Sequence, residues 1–529
     1  MDLWTFRRYR APELDVDMLE VDDTEPLITL GKGVHRYSLA VDNPEAARQI
    51  AADMLSLNDK TSPHWNAMLD TSVGEGWGAI GEFLDQRSLI AETGGNPALA
   101  VATAKLRLAA VINGTSQAIR ESLQPASAHR FAEEVRAVKM ILEQDSVGFS
   151  LESGKSPFDP SVQPNFFRAL LLVEFEYFRR QSQLTLRAVA ALLAALEGDI
   201  VDCDSFAINA ETLILYDLSD LEAHLWLVGH CLTESVGENA ERFRLPARQV
   251  HSVCSGIEFM RQIELRTRET LRNWGENPYV IALDALGNTY SPLIAGPFIE
   301  QYHVTRRFVE IIAPMLSKRL VPPLRRMMFQ YYAEEVGHEA LESTTCEALG
   351  VSPSALEMTI PLPGHFGFVD VLTLVAILEP VASFASIMVI EGVFGEPPKM
   401  SLRLAAVART NPAFSIITDE HEELNEDLNH NSISRNAFEQ IDAISADIQT
   451  KVDDIISFLL ELNQRAWGGI VDFYGTQESL ELHGPMGMRF SPVQPEPENG
   501  KSGNHRQDAR SILRGAWDCP NPPPVCASQ

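Results

Sequence analysis

The stretch Val371–Phe394 is the longest apolar run in the chain, and Glu379, Pro380 and Glu391 interrupt it. A membrane helix tolerates carboxylates at such positions poorly. The run therefore reads as a very apolar core helix that other helices must cover. Within it, Glu391 follows Ile387, Met388, Val389 and Ile390 and precedes Val393 and Phe394. An unpaired carboxylate is costly to bury in such surroundings. Glu391 therefore needs a cation or strong hydrogen-bond donors.

The segments around that run supply further carboxylates and imidazoles. Residues 286–478 read as a helical block, with helices over Pro292–Leu316, Pro322–Ala348, Phe368–Phe394, Leu402–Thr410, Ser415–Asn431 and Arg435–Gly468. The first carries Glu300. The second carries Glu335-Val336-Gly337-His338, and residues three apart on a helix share a face. The helix from Ser415 carries Glu423, Asp427 and His430, spaced four and then three, again on one face. Each residue alone is an ordinary solvated or hydrogen-bonded side chain. The ordered set is rarer, and its helices could share one interior. Carboxylates and imidazoles without a thiolate suit iron or manganese better than structural zinc.

The rest of the chain bounds the possibilities. A length of 529 residues allows two to four domains, and a net charge of -30 repels nucleic acid and anionic membranes. Solubility is the plain reading of that charge. Cys203, Cys231, Cys254 and Cys346 are scattered without Cys-x-x-Cys spacing and read as reduced core residues. The N-terminal residues lack the apolar run of a signal peptide, so a cytoplasmic location is expected.

Residues 1–95 read as a small α+β domain, with a strand over Val34–Val41 and helices over Asn43–Leu57 and Gly76–Ile90. This order resembles the small winged-helix domains that hold leader peptides. A cap or dimerisation domain is the alternative. Residues 96–285 are almost continuously helical in pattern, as in Pro97–Leu123, Phe131–Gln144 and Asn165–Leu196, with Asn96 placed as an N-cap. Glu174, Glu176, His224 and His230 occur here, and the two histidines are six apart, on different helix faces. No ligand set is expected, and the segment reads as structural or dimerising. Residues 479–529 are polar, rich in Pro, Gly and Asn, and expected to be disordered.

In order and spacing, residues 290–470 resemble the haem-oxygenase-like di-iron oxidases and oxygenases. That family places a Glu on its first helix, a Glu and His on the second, a Glu on the third, then a His-x-x-x-Asp-x-x-His run. Glu300, Glu335, His338, Glu391, Asp427 and His430 fall at matching places. The family's first His of the last run falls at Glu423. His421 is nearby but nine residues from His430, on the opposite face of a straight helix, so Glu423 is the preferred ligand. The resemblance implies a mostly α protein with a haem-oxygenase-like bundle. It also implies two irons per chain, O₂ as co-substrate and an unspecified electron donor. The implied activity is N-oxygenation, desaturation or oxidative C–C cleavage of an amine, amino acid or peptide. A homodimer is expected. Tyr302, His303, Tyr331 and Tyr332 lie near the ligands and could line a pocket, or serve as core and supporting residues.

Two alternatives stand beside this reading. The last residues run from Ala516-Trp517-Asp518-Cys519-Pro520 to Gln529, with a second cysteine at Cys526. It is a plain disordered end, a redox or metal-delivery pair, or a fused peptide that the enzyme modifies in its own chain. The other class is a non-enzymatic helical interaction protein whose carboxylates form an ordinary salt-bridged interior.

Overall fold

Short alternating stretches near the N-terminus pair into strands. The computed structural model describes residues 12–14, 18–21, 27–32, 35–40, 43–56, 90–92, 97–143, 156–202, 218–237, 242–248, 252–286, 291–391, 432–484 and 489–492. Here β1 (Pro12–Leu14), β2 (Met18–Val21), β3 (Leu27–Lys32) and β4 (His35–Ala40) precede α1 (Pro44–Ser56) and β5 (Ile90–Glu92). β2, β3 and β4 form an antiparallel meander with Glu20 opposite Thr29 and Thr29 opposite Ser38, and β1 pairs with β5. Asn43 starts α1 by accepting the Ala46 N–H at 2.8 Å. Ile28 and Leu30, two apart, share one face of β3, and Ala47, Ala51 and Met54 form one face of α1. All five are buried, and α1 packs on β2 and β3. This α+β layer belongs to a unit formed by Met1–Ala110 with Asp202–Asp217. Of the helix expected over Gly76–Ile90, residues 76–89 lie outside the described residues, and Ile90 begins β5 instead, paired with Leu14 of β1.

The second unit, Val111–Val201 with Leu218–Gln529, is built of helices. It begins within α2 (Pro97–Ser122) and continues with α3 (Ala128–Glu143), α4 (Phe166–Gln181), α5 (Gln183–Glu197) and α6 (Leu218–Gly237). After β6 (Val253–Cys254) come α7 (Gly256–Trp274), α8 (Pro278–Leu286), α9 (Gly296–Arg306), α10 (Phe308–Leu316), α11 (Pro322–Glu335), α12 (Glu339–Ala348) and α13 (Pro353–Glu357). Then follow α14 (Pro363–Leu378), α15 (Pro380–Ile390), α16 (Ile433–Phe438), β7 (Ile444–Ser445) and α17 (Ala446–Tyr474), with β8 (Leu482–His483) pairing β9 (Arg489–Phe490). The molecule is mostly α. The apolar α14 lies at the centre, packed by α4, α6, α10 and α17. Helices from both sides of residue 285 therefore share one interior. α14 and α17 cross closely, since a Cβ on Gly364 would lie 2.8 Å from the Ala466 Cα. Among the described residues, no helix is long and apolar enough to cross a membrane. Among the described residues, Cys231, Cys254 and Cys346 are buried and form no disulfide.

Several helices expected as single rods are broken. The run Phe368–Phe394 divides at Glu379-Pro380, because proline offers no N–H and pushes the preceding residue out of the helical region (φ −130°, ψ 77°). Pro322–Ala348 divides at Gly337, which takes φ +94°. Asn165–Leu196 divides at Ser182, whose Oγ accepts the Thr185 N–H at 3.1 Å and starts α5. Pro292–Leu316 divides at Arg307, and Arg435–Gly468 gives way to α16, β7 and α17.

Candidate metal centres

Glu335 ends α11, and His338 precedes α12. The expected single helix face is therefore replaced by a turn, in which Gly337 adopts the left-handed conformation that other residues avoid. The turn still joins the pair, with Glu335 Oε2 and His338 Nδ1 3.0 Å apart and both side chains buried. One turn before Glu335, Tyr331 donates its hydroxyl to Glu391 Oε1 in a short hydrogen bond. Glu391 is the half-buried residue that closes α15, with its backbone N–H on Ile387 O at 2.9 Å. Burial, then the Glu391 and Glu335 charges, raise the Tyr331 pKa well above its usual value. Tyr331, Glu335, His338 and Glu391 thus converge from α11, the Gly337 turn and α15.

Glu300 sits differently. It is fully buried on α9, where Oε2 accepts the Leu362 N–H at 2.8 Å and Oε1 accepts the Tyr474 hydroxyl at 3.0 Å. Burial pushes its pKa up to about 8, against the pull of those two donors. Its charge also acts on Cys346, far along α12 from His338. Glu342 lies between these positions, one turn into α12. It is buried, with its pKa pushed up to about 8 by burial, and the sequence reading missed it. Glu423, Asp427 and His430, with His421, lie outside the described residues. Of the expected pocket residues, Tyr331 is engaged with Glu391, and His303 Nε2 is 2.6 Å from Thr359 Oγ1. A cleft of about 430 Å³ lies elsewhere, lined by Phe243, Trp274, Glu461 and Arg465 among others, and contains neither cluster.

The other cluster arises where no ligand set was expected. Among the described residues, Glu174, His224 and Asp370 form the set of three whose ligand atoms lie within 4.8 Å of one another. They come from α4, α6 and α14. Asp370 Oδ1 accepts from Arg307 Nη2 at 2.6 Å, and Asp370 Oδ2 lies 3.0 Å from His224 Nε2. Arg307 also reaches Glu310 at 2.8 Å and the Tyr177 hydroxyl at 3.4 Å, and it covers the Phe366 ring at 4.4 Å. Phe178 and Phe366 meet the His224 ring edge to face at 4.8 and 4.6 Å.

The electrostatics there are polarised. Burial works against ionising Asp370, but Arg307 and then His224 outweigh it and hold its pKa below the carboxylate range. Burial, followed by the Asp370 charge, raises Glu174 well above that range. Neither Glu174 oxygen has a hydrogen-bond donor. This buried Glu, His and Asp group could hold a metal ion. The sequence carried a signal for it: Asp370 sits in Phe368-Val369-Asp370-Val371 and Glu174 in Leu172-Val173-Glu174-Phe175. Both are carboxylates in apolar helices, the criterion that singled out Glu391.

Comparisons with known proteins add little. No family model and no curated protein matches the chain. It is similar to a crystal structure, from Shewanella denitrificans, of a domain of unknown function with a heme oxygenase-like fold. The two are 17% identical, the match covers 41% of this chain and 92% of that one, and the TM-score is 0.34.

Proposed function

We propose that this chain is an O₂-dependent non-haem di-iron oxidoreductase with a haem-oxygenase-like domain. Its substrate would be an amine, amino acid or peptide, transformed by N-oxygenation, desaturation or oxidative C–C cleavage. The observation that carries the reading is the meeting of Tyr331, Glu335, His338 and Glu391 in one buried neighbourhood. Its donors are carboxylates and an imidazole, a set that fits iron. Glu300, Glu423, Asp427 and His430 complete the ligand set in this reading.

Bound iron would supply the electrons and the open coordination needed to activate O₂. The chain supplies position and exclusion of water. With the proton on His338 Nδ1, that nitrogen donates to Glu335 Oε2 and Nε2 keeps its lone pair for a metal. The Tyr331 hydroxyl orients the Glu391 carboxylate. Ile387, Met388 and Val389 are buried and keep that side dry. An external electron donor and a homodimeric assembly belong to the same reading.

The rival is a non-enzymatic helical protein, and one observation favours it: Glu335 with His338, and Glu391 with Tyr331, can satisfy one another without a metal. Anaerobic loading with Fe(II), followed by O₂ and watched by optical and Mössbauer spectroscopy, separates the two. About two O₂-reactive irons per chain are expected, as in carboxylate-bridged helical di-iron sites. Glu335→Ala and His338→Ala should lose the O₂-dependent transient. An identical response in these variants, or no reaction at all, leaves the rival standing.

A further inference from the structure

We propose that Glu174, His224 and Asp370 bind one divalent transition-metal ion at a closed structural site, separate from the cluster at Tyr331, Glu335, His338 and Glu391. Three observations carry this.

The first is spacing. Two ligands bound at about 2.1 Å and at right angles to each other lie about 3 Å apart. His224 Nε2 and Asp370 Oδ2 are 3.0 Å apart, and the ligand atoms of all three residues lie within 4.8 Å.

The second is the set of orphaned atoms. His224 Nε2 faces Asp370 Oδ2 at 3.0 Å and Glu174 meets Asp370, but neither Glu174 oxygen receives an N–H donor and His224 Nδ1 has no hydrogen-bond partner, on side chains at most 6% exposed. Buried polar groups are normally paired more fully, so two carboxylates and an imidazole meeting this way require an explanation. A cation between them satisfies all three residues at once.

The third is charge. Glu174, Asp370 and Glu310 gather around the single guanidinium of Arg307. Glu310 is partly exposed to solvent and burial keeps the proton on Glu174, so a divalent ion would displace that proton on binding. Arg307 takes Asp370 Oδ1 and leaves Oδ2 turned towards His224, the kind of outer contact that orients a metal-binding carboxylate.

The donor chemistry narrows the ion. Oxygen and imidazole ligands without a thiolate fit Mn(II), Fe(II), Co(II) or Zn(II), and the imidazole disfavours Ca(II) and Mg(II). The site is also closed. Phe178 and Phe366 wall the imidazole, and Arg307 with Tyr177 covers Asp370. Structural sites carry four protein donors and leave no position open, and a bidentate Glu174 would supply the fourth donor here. A metal here would tie α4, α6 and α14 together and stabilise the fold without turning over.

The test uses the full chain, stripped with chelator, reloaded with Zn(II) alone and dialysed. Metal content and thermal melting are then compared for wild type, the near-isosteric Glu174→Gln, and His338→Ala. Wild type should hold about one Zn(II) more per chain than Glu174→Gln, as one structural site requires, and His338→Ala should keep that ion. The zinc-induced rise in Tm should be smaller in Glu174→Gln than in wild type. Equal zinc and an equal Tm rise in Glu174→Gln would overturn the proposal and leave a buried ion-pair network. If Glu174→Gln does not fold, Co(II) replaces Zn(II). Ligand-field bands of oxygen- and nitrogen-bound cobalt that persist in His338→Ala support the site, and their absence there refutes it. None of these outcomes touches the O₂ transient that tests the proposed function.

Discussion

His303 lies three residues beyond Glu300 on α9 and is only 3% exposed. Thr359 Oγ1 donates to Leu356 O at 2.6 Å, so His303 Nε2 carries the proton and donates to Thr359 Oγ1. Burial first, then the charges of Arg306, Arg307, His365 and His483, hold the His303 pKa well below 6.5. His230 and His365 are both lowered to about 4, by burial and, for His230, by Arg465. The unfolded chain protonates these imidazoles near pH 6.5 while the folded chain leaves them neutral. Stability is therefore complete above that pH and falls as the pH drops below it, by up to about 1.4 kcal/mol per unit for each such histidine. His303→Gln keeps a donor for Thr359 and should lose less stability between pH 6.5 and 5 than wild type. Urea titrations across that range check this, and an unchanged slope would mean that His303 is not held neutral. At this scale the sequence was half legible. Glu391 stood out because apolar neighbours make a carboxylate conspicuous, and Asp370 and Glu174 satisfy the same test. They were passed over because their partners lie far away in the chain, and only the packing of α4, α6 and α14 joins them.

Helix content was readable from residue type, and the breaks were not. Pro380 and Gly337 carry local signals, since proline removes a donor and glycine permits positive φ. Ser182 carries only the N-cap preference of serine, Arg307 carries no such signal, and tertiary packing decides there. The breaks matter because they hold the chemistry. Arg307 reaches Asp370 from the junction of α9 and α10, and His338 meets Glu335 across the Gly337 turn. Gly337 has no atom within 4 Å of a notional Cβ, so space does not oppose a larger residue, but its φ of +94° does. We expect Gly337→Ala to cost about 1–2 kcal/mol through left-handed backbone strain. It should also weaken iron binding, because the turn sets the Glu335–His338 contact. Thermal melts and Fe(II) titration of the variant decide it. Lost stability with unchanged iron affinity would detach the turn from the metal.

At the scale of the molecule, 73 acidic residues against 43 basic ones give a net charge of -30, and any divalent cation will collect on such a surface. Metal content measured at low salt therefore mixes bound ions with a diffuse cloud. The two populations differ in how salt screens them. The Debye length falls from about 10 Å at 0.1 M to about 3 Å at 1 M, which removes attraction to exposed carboxylates. Buried pairs are screened far less. Both candidate clusters are formed largely by buried side chains within the one helical unit. Equilibrium dialysis of Mn(II) against the chain should therefore show bound metal falling as salt rises, then reaching a plateau. Glu174→Gln should lower the plateau by one part and His338→Ala by another, and the two losses should add, because the two residues belong to separate clusters. Bound metal that vanishes with rising salt would assign all of it to the surface charge and leave both clusters as hydrogen-bonded interior.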